Sequence, residues 1–300
     1  MGCIFIFAYL HRLLDIRFLI SLILDSKIPK TNLDLENILK DSQKGLIMQT
    51  LTIPAFNDNY IWLISDGEIA AVVDPGDPAP VLKNLESKNL KLKYILITHH
   101  HMDHVGGIKT LISKYPEVTV FGPDCGRIPG ISKVVKESDT VEMGSLGSYN
   151  VMEVPGHTTS HICYYGEGNL YIGDTVFAAG CGRLFEGSPA DMVNSFEKIR
   201  ALPEATNIYC AHEYTLSNIR FAKAVDPDNH DLLERERKCQ KLRENGTPTV
   251  PFTLEEELKT NPFFRYKDSK IRESASCKSG RAVNDDVTTF AIIRSWKDSF

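Results

Sequence analysis

The sequence predicts an α/β fold followed by a smaller, all-helical C-terminal part. From Met48 to about residue 215, short apolar runs rich in β-branched residues alternate with stretches of helical spacing, and turn residues separate them. After that point helical spacing continues and no good strand appears. The chain has 300 residues, 42% of them hydrophobic, which suffices for the cores of such a fold. We therefore expect an α/β domain over residues 48–214 and a helical domain over residues 215–300.

Residues 1–47 form an N-terminal extension that allows several interpretations. Charged residues such as Arg12 and Asp15 interrupt its apolar run, so no uncharged stretch of about 18 residues could span a membrane. It also lacks the positive start and small-residue cleavage site of a secretory signal. An amphipathic helix, a mitochondrial presequence and translated sequence upstream of a start at Met48 are the interpretations left, and we favour the last.

The strands of the α/β part are apolar runs between turns, and the run LKYILIT has so few polar positions that both of its faces should be covered. Strands are predicted over 51–56, 59–65, 68–74, 92–98, 118–123, 145–158, 160–174 and 207–212. Helices are predicted over 81–89, 106–116, 190–202, 216–225, 230–246, 253–260 and 287–296, and a loop over 175–189. Helices that follow strands in this way indicate a sheet buried between layers.

Charge and cysteine usage exclude several classes of protein. The formal charge of -5 and the pI near 6.0 give no basic surplus, so nucleic acid is a poor candidate for the partner. The seven cysteines are odd in number and never spaced as C-x-x-C, which suits a reducing compartment. We expect a cytoplasmic protein, or a mitochondrial one if residues 1–47 are a presequence.

Four predicted strands run directly into a potential metal ligand. The ligands are His99, His157, Asp174 and His212. Loops at strand ends are where α/β folds assemble their sites, so these four side chains could meet at one place. His157, Asp174 and His212 lie far from the others in sequence, and each of them alone could be a buried or turn residue that binds no metal.

The segment THHHMDH, residues 98–104, is harder to explain without a metal. His99 and His101 are two apart and would point the same way on extended backbone, whereas His100 would point oppositely and serve a structural or solvated role. Burying so many titratable groups without a cation would be costly. The candidate ligands are His99, His101, Asp103, His104, His157, Asp174 and His212.

Seven ligands of imidazole and carboxylate type are too many for one catalytic zinc ion, which uses about three and keeps one position open. Two divalent ions are the natural solution, and a carboxylate could bridge them. A bridging water would lose a proton near neutral pH and serve as the nucleophile. Zinc is our first expectation for the metal, and iron or manganese would suit the same ligands.

These residues resemble a known signature. THHHMDH fits the T-H-x-H-x-D-H motif of the metallo-β-lactamase superfamily, and PGHT, YIGD and CAHEYT follow in the order seen in that superfamily. The resemblance is closer to one branch, glyoxalase II or hydroxyacylglutathione hydrolase, and extends from Met48 to the C-terminus. The segments that carry it are DNYIWLI, DPGD, AGCGRLFEG, AHEYT and NPFFR.

The resemblance implies an αββα sandwich with a binuclear metal site, followed by a helical domain that helps to hold glutathione. By motif position, one metal would be bound by His99, His101 and His157. The other would be bound by Asp103, His104 and His212. Asp174 would bridge the two metals, and Asp74 would orient a ligand histidine.

The reaction implied by the resemblance is hydrolysis of the thioester of S-(2-hydroxyacyl)glutathione, chiefly S-lactoylglutathione from methylglyoxal detoxification. Asp103 and Asp174 would be catalytic through the metals they hold. The partner would be this small molecule, with no nucleic acid and no membrane span, and we expect a monomer. The alternative is a persulfide dioxygenase of the same superfamily with one iron ion, which the complete second ligand set and the helical part disfavour.

Glutathione carries two carboxylates, so its site should offer cations and hydrogen-bond donors. The resemblance implies substrate contacts for Arg183, Tyr214, Arg265 and Lys267. Two positions depart from the pattern of some members: Phe185 stands in place of tyrosine, and Asp268 stands in place of lysine. We expect Lys267 to compensate in part for the lysine that Asp268 replaces. We also expect the Michaelis constant to be higher than in those members, because substrate binding is weaker.

Overall fold

Two six-stranded β-sheets share one apolar core and carry helices on their outer faces. The structure is a computed structural model that describes residues 48–300, so our interpretations of residues 1–47 lie outside the described residues. The strands are β1 (Gln49–Ala55), β2 (Asn59–Ser65), β3 (Ile69–Val73), β4 (Lys91–Leu96), β5 (Thr119–Gly122), β6 (Lys133–Val134), β7 (Thr140–Glu142), β8 (Ser148–Glu153), β9 (Ile162–Gly166), β10 (Asn169–Gly173), β11 (Val176–Phe177), β12 (Gly180–Cys181), β13 (Asn207–Cys210) and β14 (Phe252–Thr253). The helices are α1 (Pro78–Ser87), α2 (Met102–Val105), α3 (Ile108–Lys114), α4 (Pro189–Arg200), α5 (Thr215–Val225), α6 (His230–Glu244), α7 (Leu254–Thr260), α8 (Ser269–Ser279) and α9 (Asp286–Asp298).

The first sheet has the strand order β1-β2-β3-β4-β5-β6, and the second has the order β14-β13-β10-β9-β8-β7. The pairs from β3 to β6 are parallel, and β10 and β13 form the parallel pair of the second sheet; the other pairs of the two sheets are antiparallel. A short hairpin of β11 and β12 follows β10. Parallel strands need crossover connections, and α1 supplies the one between β3 and β4.

The first sheet is buried on both faces, as the alternation in β2 illustrates. Tyr60, Trp62 and Ile64 belong to the core between the sheets, while Ile61 and Leu63 belong to a second core beneath helices α1 and α3. Successive side chains of a strand point to opposite faces, so a strand without polar positions needs cover on both sides. These layers are those of an αββα sandwich.

Most helices begin at a side-chain cap that accepts a hydrogen bond from a backbone N–H of the first turn. The capping residues are Asp77, Ser188, Asn229, Thr253, Asp268 and Asp285. Such caps satisfy donors that have no partner inside the helix and fix where it starts.

The core between the sheets continues into the C-terminal helices. Phe196 of α4 lies 4.5 Å, ring centre to ring centre, from Phe264 and 5.5 Å from Phe290 of α9. Residues 48–300 form one compact unit, and the division at residue 214 stays a prediction. Within this described part, no helix is long and apolar enough to cross a membrane.

Several local predictions differ from the structure, and three differences are the clearest. The predicted loop over 175–189 contains the β11–β12 hairpin, and the strand β14 lies beyond residue 215, where none was expected. The third difference is α8, which was not predicted because its apolar positions are few; of its residues only Ile271 and Ala275 are buried. In each case contacts with the rest of the fold stabilise an element whose own pattern is weak.

Candidate metal centre

The four strand ends singled out in the sequence meet at one edge of the sandwich. The two sheets are joined there by backbone hydrogen bonds, from Tyr60 N to Ala211 O at 2.7 Å and from Ile162 N to Thr98 O at 3.0 Å. These bonds connect the segments that carry His212 and His99. The edge is therefore a rigid frame for the ligand side chains.

The first group of potential ligands is His99, His101 and His157. His99 Nε2 and His157 Nε2 each lie 3.0 Å from His101 Nδ1. His99 and His157 are buried and His101 is half-buried. Three imidazole nitrogens facing one point form a set that suits zinc and other borderline cations.

The second group is Asp103, His104 and His212. Asp103 Oδ2 lies 3.4 Å from His104 Nε2 and 3.4 Å from His212 Nε2. The ligand atoms of the three residues all lie within 4.8 Å of one another. Asn59 donates a hydrogen bond of 2.9 Å to Asp103 Oδ2 and holds the carboxylate in place.

The Asp174 carboxylate lies between the two groups. Its Oδ2 is 3.5 Å from His157 Nε2 and 3.4 Å from His212 Nε2, and its Oδ1 is 3.5 Å from His104 Nε2. Asp174 Oδ1 and His104 Nε2 are buried, and neither has a hydrogen-bond partner among the described residues. Buried polar atoms without partners are costly, and a cation between them would remove that cost. The residues therefore fit a pair of metal ions.

The outer nitrogens of the histidines are held by other groups. His104 Nδ1 lies 3.0 Å from Asp74 Oδ2, and the same carboxylate accepts hydrogen bonds from the backbone N–H and the hydroxyl of Thr98. His157 Nδ1 donates to the backbone oxygen of Arg183 at 2.8 Å. Such contacts fix the ring and leave Nε2 free for a metal.

Asp58 is a functional candidate that the sequence analysis missed. Its Oδ1 lies 2.8 Å from His212 Nδ1, so it holds His212 as Asp74 holds His104. The backbone oxygen of Asp58 also accepts from Glu213 N at 2.9 Å. The residue belongs to the quoted segment DNYIWLI, but a turn aspartate far from His212 in sequence gives no sign of its partner.

Burial lowers the pKa of His99, His101 and His157, because an imidazolium is poorly solvated there. These three rings are therefore neutral at pH 7. A neutral imidazole presents the lone pair that a metal ion needs.

The pKa values of the histidines in the second group shift in the opposite direction, upwards. Although burial lowers the pKa of His104, the charges of Asp174 and Asp74 outweigh it and raise that pKa well above the usual value. Burial also opposes protonation of His212, but Asp174, Asp103 and Asp58 raise its pKa to about 10. Without a cation these rings carry protons at pH 7, and a metal ion would replace them.

His100 lies apart from both groups. Its Nε2 is 3.6 Å from Glu186 Oε1, and only 11% of its side chain is exposed. Glu186 also accepts hydrogen bonds from Arg127 and from the backbone and hydroxyl of Thr159. His100 thus lies against a polar cluster that joins three loops, although its ring centre is 4.9 Å from that of His101, and its role outside the ligand groups stays a prediction.

The four predicted substrate contacts lie in different surroundings. Tyr214 stacks on His212 at 4.7 Å between ring centres, and the 61% exposed Phe185 lies edge-on to His157 at 5.3 Å. Arg265 is paired with Asp226 and Asp268. Lys267 is 2.8 Å from Glu197 Oε2, so no hydrogen bond or ion pair in the described part of the chain joins it or Arg265 to the ligands.

Arg183, the fourth predicted contact, belongs to a basic cluster with Arg294 and Lys297, two residues that the sequence analysis did not single out. Asp298 Oδ1 lies 3.2 Å from Arg183 Nε and 3.0 Å from Arg294 Nη2 and so holds both guanidinium groups. Lys297 is half-buried, with its ammonium 5.1 Å from the centre of the Phe221 ring, and forms no ion pair within residues 48–300. The cluster adjoins the metal centre, since the Arg183 backbone holds His157.

Comparison with solved structures identifies the fold. The crystal structure of ETHE1 from Myxococcus xanthus matches with a TM-score of 0.57 and 21% identity and covers 84% of this chain and 99% of that chain. The BLEG-1 B3 metallo-beta-lactamase matches with a TM-score of 0.54 and 21% identity, over 72% of this chain and 99% of its own. A family model described as "Metallo-beta-lactamase superfamily" matches residues 55–212. The fold and the site therefore define a protein of the metallo-β-lactamase superfamily.

Within that superfamily, the C-terminal part and the overall identity decide the branch. Residues 213–300 match a model described as "Hydroxyacylglutathione hydrolase C-terminus". The hydroxyacylglutathione hydrolase of Photobacterium profundum is 50% identical over 252 residues, which are 83% of this chain and 98% of that protein. That of Nitrosomonas europaea is 46% identical over 255 residues, which are 85% of this chain and 97% of that protein. The chain belongs to the hydroxyacylglutathione hydrolase, or glyoxalase II, family.

Proposed function

We propose that this chain is a binuclear-metal thioesterase that hydrolyses S-(2-hydroxyacyl)glutathione to a 2-hydroxy acid and glutathione. S-Lactoylglutathione is the main substrate, and the product is then lactate. The observation that carries the proposal is the buried Asp174 carboxylate between two sets of three ligands. Family membership selects the thioester of glutathione among the substrates that such a centre could hydrolyse.

The metal ions proposed for this centre are held by His99, His101 and His157 on one side and by Asp103, His104 and His212 on the other. Two divalent cations, zinc first and iron or manganese otherwise, would polarise the thioester carbonyl and lower the pKa of a water molecule.

The chain's own residues orient the ligand histidines and supply a hydrogen-bond donor. Asp74 and Asp58 hold His104 and His212 in fixed orientations, so the ligand set needs little reorganisation during the reaction. Burial, together with the charges of Asp58 and Asp174, raises the pKa of Tyr214, so its phenol stays protonated and can donate a hydrogen bond. A thiolate is a good leaving group, so no strong general acid is needed.

The basic cluster of Arg183, Arg294 and Lys297 is our candidate for binding the carboxylates of the glutathione part. Three cations against the single carboxylate of Asp298 leave an excess of positive charge beside the metal centre. Arg265 and Lys267 stay predicted contacts, but each already has a carboxylate partner, which an incoming carboxylate would have to displace.

Metal analysis and a hydrolysis assay test the reaction together. We expect the wild type to bind two metal ions per chain and to hydrolyse S-lactoylglutathione. Asp174→Ala should lose both metal and activity, while Asp228→Ala, which changes an exposed aspartate outside the centre, should retain both. One iron ion per chain, with oxygen consumed when a persulfide is the substrate, would instead support the dioxygenase alternative. An Asp174→Ala variant that stays active and binds two metal ions would refute the bridging role of Asp174.

The glutathione contacts are tested by comparing two substrates. Lys297→Met should raise the Michaelis constant for S-lactoylglutathione about tenfold, the value of one charge-assisted hydrogen bond, and leave kcat nearly unchanged. The same variant should be unaffected on a lactoyl thioester of N-acetylcysteamine, which has no carboxylates. Arg265→Met is the matched control variant at the other predicted contact. If the Michaelis constant for S-lactoylglutathione rises only in Arg265→Met, the glutathione carboxylates bind at Arg265 and not at the basic cluster.

A further inference from the structure

His161 is a fully buried histidine beside the metal centre that belongs to neither ligand group. It directly precedes β9, and its neighbour Ile162 donates a backbone hydrogen bond to Thr98, the residue before His99. The backbone oxygen of His161 accepts from Val154 N at 2.8 Å. The ring is thus anchored by the backbone on both sides.

Both ring nitrogens of His161 are already engaged. The backbone N–H of Asp174 donates to His161 Nε2 at 3.2 Å, so this nitrogen carries the lone pair. His161 Nδ1 then carries the proton and lies 3.4 Å from the hydroxyl of Thr175. With Nε2 occupied by an N–H donor, the ring has no lone pair left for a cation.

The same ring lies flat against a ligand of the first group. The rings of His161 and His99 stack with centres 4.6 Å apart and planes 19° apart. On its other side the ring closes against Gly173, where a Cβ would come within 2.9 Å of His161 Nε2 and 2.4 Å of Thr98 Oγ1. Gly173 also has a φ of 53°, which glycine adopts without strain. The chain at Gly173 therefore turns tightly around His161 immediately before Asp174.

We propose that His161 is a positioning residue of the metal centre: it fixes the backbone of Asp174 through Nε2 and the ring of His99 by stacking, without binding a metal. One side chain thereby couples the bridging carboxylate to the first ligand group. The inference rests on the metal centre proposed above, and on metal binding rather than on the thioester reaction. A chain that binds two ions but does not hydrolyse the thioester would refute the proposed function and leave this inference standing.

Two variants separate the hydrogen bond from the stacking. His161→Phe keeps a ring against His99 and removes the acceptor for Asp174 N–H, whereas His161→Gln keeps an acceptor near the position of Nε2 and removes the ring. Zinc affinity is measured by competition with a chromophoric chelator, together with zinc content per chain and the electronic spectrum of the cobalt(II)-substituted protein. Thermal unfolding of the metal-free proteins separates loss of fold from loss of metal.

We expect His161→Phe to bind at least one of the two zinc ions about 10–100-fold more weakly, as is usual when an outer contact of a ligand is removed. Its cobalt spectrum should differ from that of the wild type. His161→Gln should recover the part of the affinity that depends on the hydrogen bond to Asp174 and lack the part that depends on stacking against His99. Wild-type affinity and spectrum in His161→Phe would overturn the proposal, and so would a His161→Gln variant as weak as His161→Phe.

Thr175→Val keeps the proposal testable if His161→Phe does not fold. The change preserves the shape of the side chain and removes the hydroxyl that faces His161 Nδ1, so the ring loses the partner that stabilises its Nδ1–H tautomer and orientation. We expect Thr175→Val to fold and to bind zinc more weakly than the wild type. Unchanged zinc affinity in Thr175→Val, with His161→Phe unfolded, would count against a role in metal binding.

Discussion

A buried ion pair in the C-terminal helices should control the hairpin next to the metal centre. Glu257 of α7 is fully buried and Arg235 of α6 is 3% exposed, and their side chains form an ion pair. The same carboxylate accepts the backbone N–H of Ala179, at the tip of the β11–β12 hairpin, where φ is 55°. The hairpin carries Phe177, whose ring centre lies 5.7 Å from that of His212.

The expected loss of stability follows from these contacts. Glu257→Leu leaves the Arg235 charge buried and unpaired, which costs about 3–5 kcal/mol. Glu256 is 3.5 Å from Arg235 Nε and takes over part of the charge, so we expect about 3 kcal/mol. Arg235→Met/Glu257→Leu removes both charges and leaves the Ala179 N–H without its acceptor, which costs about 1–3 kcal/mol. Asn261 Nδ2 also loses the Glu257 carboxylate but keeps its hydrogen bond to the backbone oxygen of Gly180. Burial raises the pKa of Glu257 despite Arg235, so the pair contributes little net stability.

Equilibrium urea unfolding at pH 7, with metal content held constant, gives the free energy of unfolding of the wild type, both single variants and the double variant. We expect the double variant to be more stable than Glu257→Leu. A Glu257→Leu variant within about 1 kcal/mol of the wild type would refute it, since that is the usual effect of a single mutation. A double variant as unstable as Glu257→Leu would show that the unpaired charge is not the cause.

Three further predictions concern the centre and its surroundings. Asp58→Asn should weaken binding of a metal ion at His212 about 10–100-fold in chelator competition, and unchanged affinity would refute the role of this contact. His100→Ala should keep two metal ions per chain where His101→Ala does not, and equal metal loss in both would contradict the division of the motif. Burial and the charge of a neighbouring arginine lower the pKa of Lys297 to about 8, so its charge is present below pH 8 and is lost above it. The Michaelis constant for S-lactoylglutathione should therefore rise above pH 8, while that for the N-acetylcysteamine thioester stays flat; parallel pH profiles would contradict the contact.

The fold was largely predictable because its elements repeat strong local patterns. The strand NYIWLIS was predicted with the bounds that it has, since both its faces are buried and each position is apolar or small. The α/β class, the sandwich and the helical C-terminal part were confirmed by the structure together with the comparisons. Elements that are stabilised by tertiary contacts, such as α8 and the β11–β12 hairpin, have no strong local sequence pattern and were not predicted.

The candidate ligands could be found because they follow apolar strands, and an apolar run that ends in a histidine or an aspartate can be recognised from the local sequence alone. Their outer contacts could not be found, because Asp58 lies 154 positions from His212 and only the folded chain brings them to 2.8 Å. The role of His161 could not be found for a similar reason, since its partner Asp174 lies beyond the next strand, directly after β10. The predicted roles of the individual site residues stay predictions until they are tested.

The sequence by itself determined the class of the protein, its family resemblance and the candidate ligands, because these depend on residue type and local spacing. Only the tertiary structure decided which carboxylate holds the outer nitrogen of His212 and which cations have no ion pair among residues 48–300. Arg265 lies in the loop before α8 and Lys297 lies in α9, and the local sequence does not show which of these two positive charges is paired. The fold pairs Arg265 with Asp226 and Asp268, whereas the ammonium of Lys297 lies over the Phe221 ring without an ion pair among residues 48–300, because contact between charges depends on distance in space rather than in sequence.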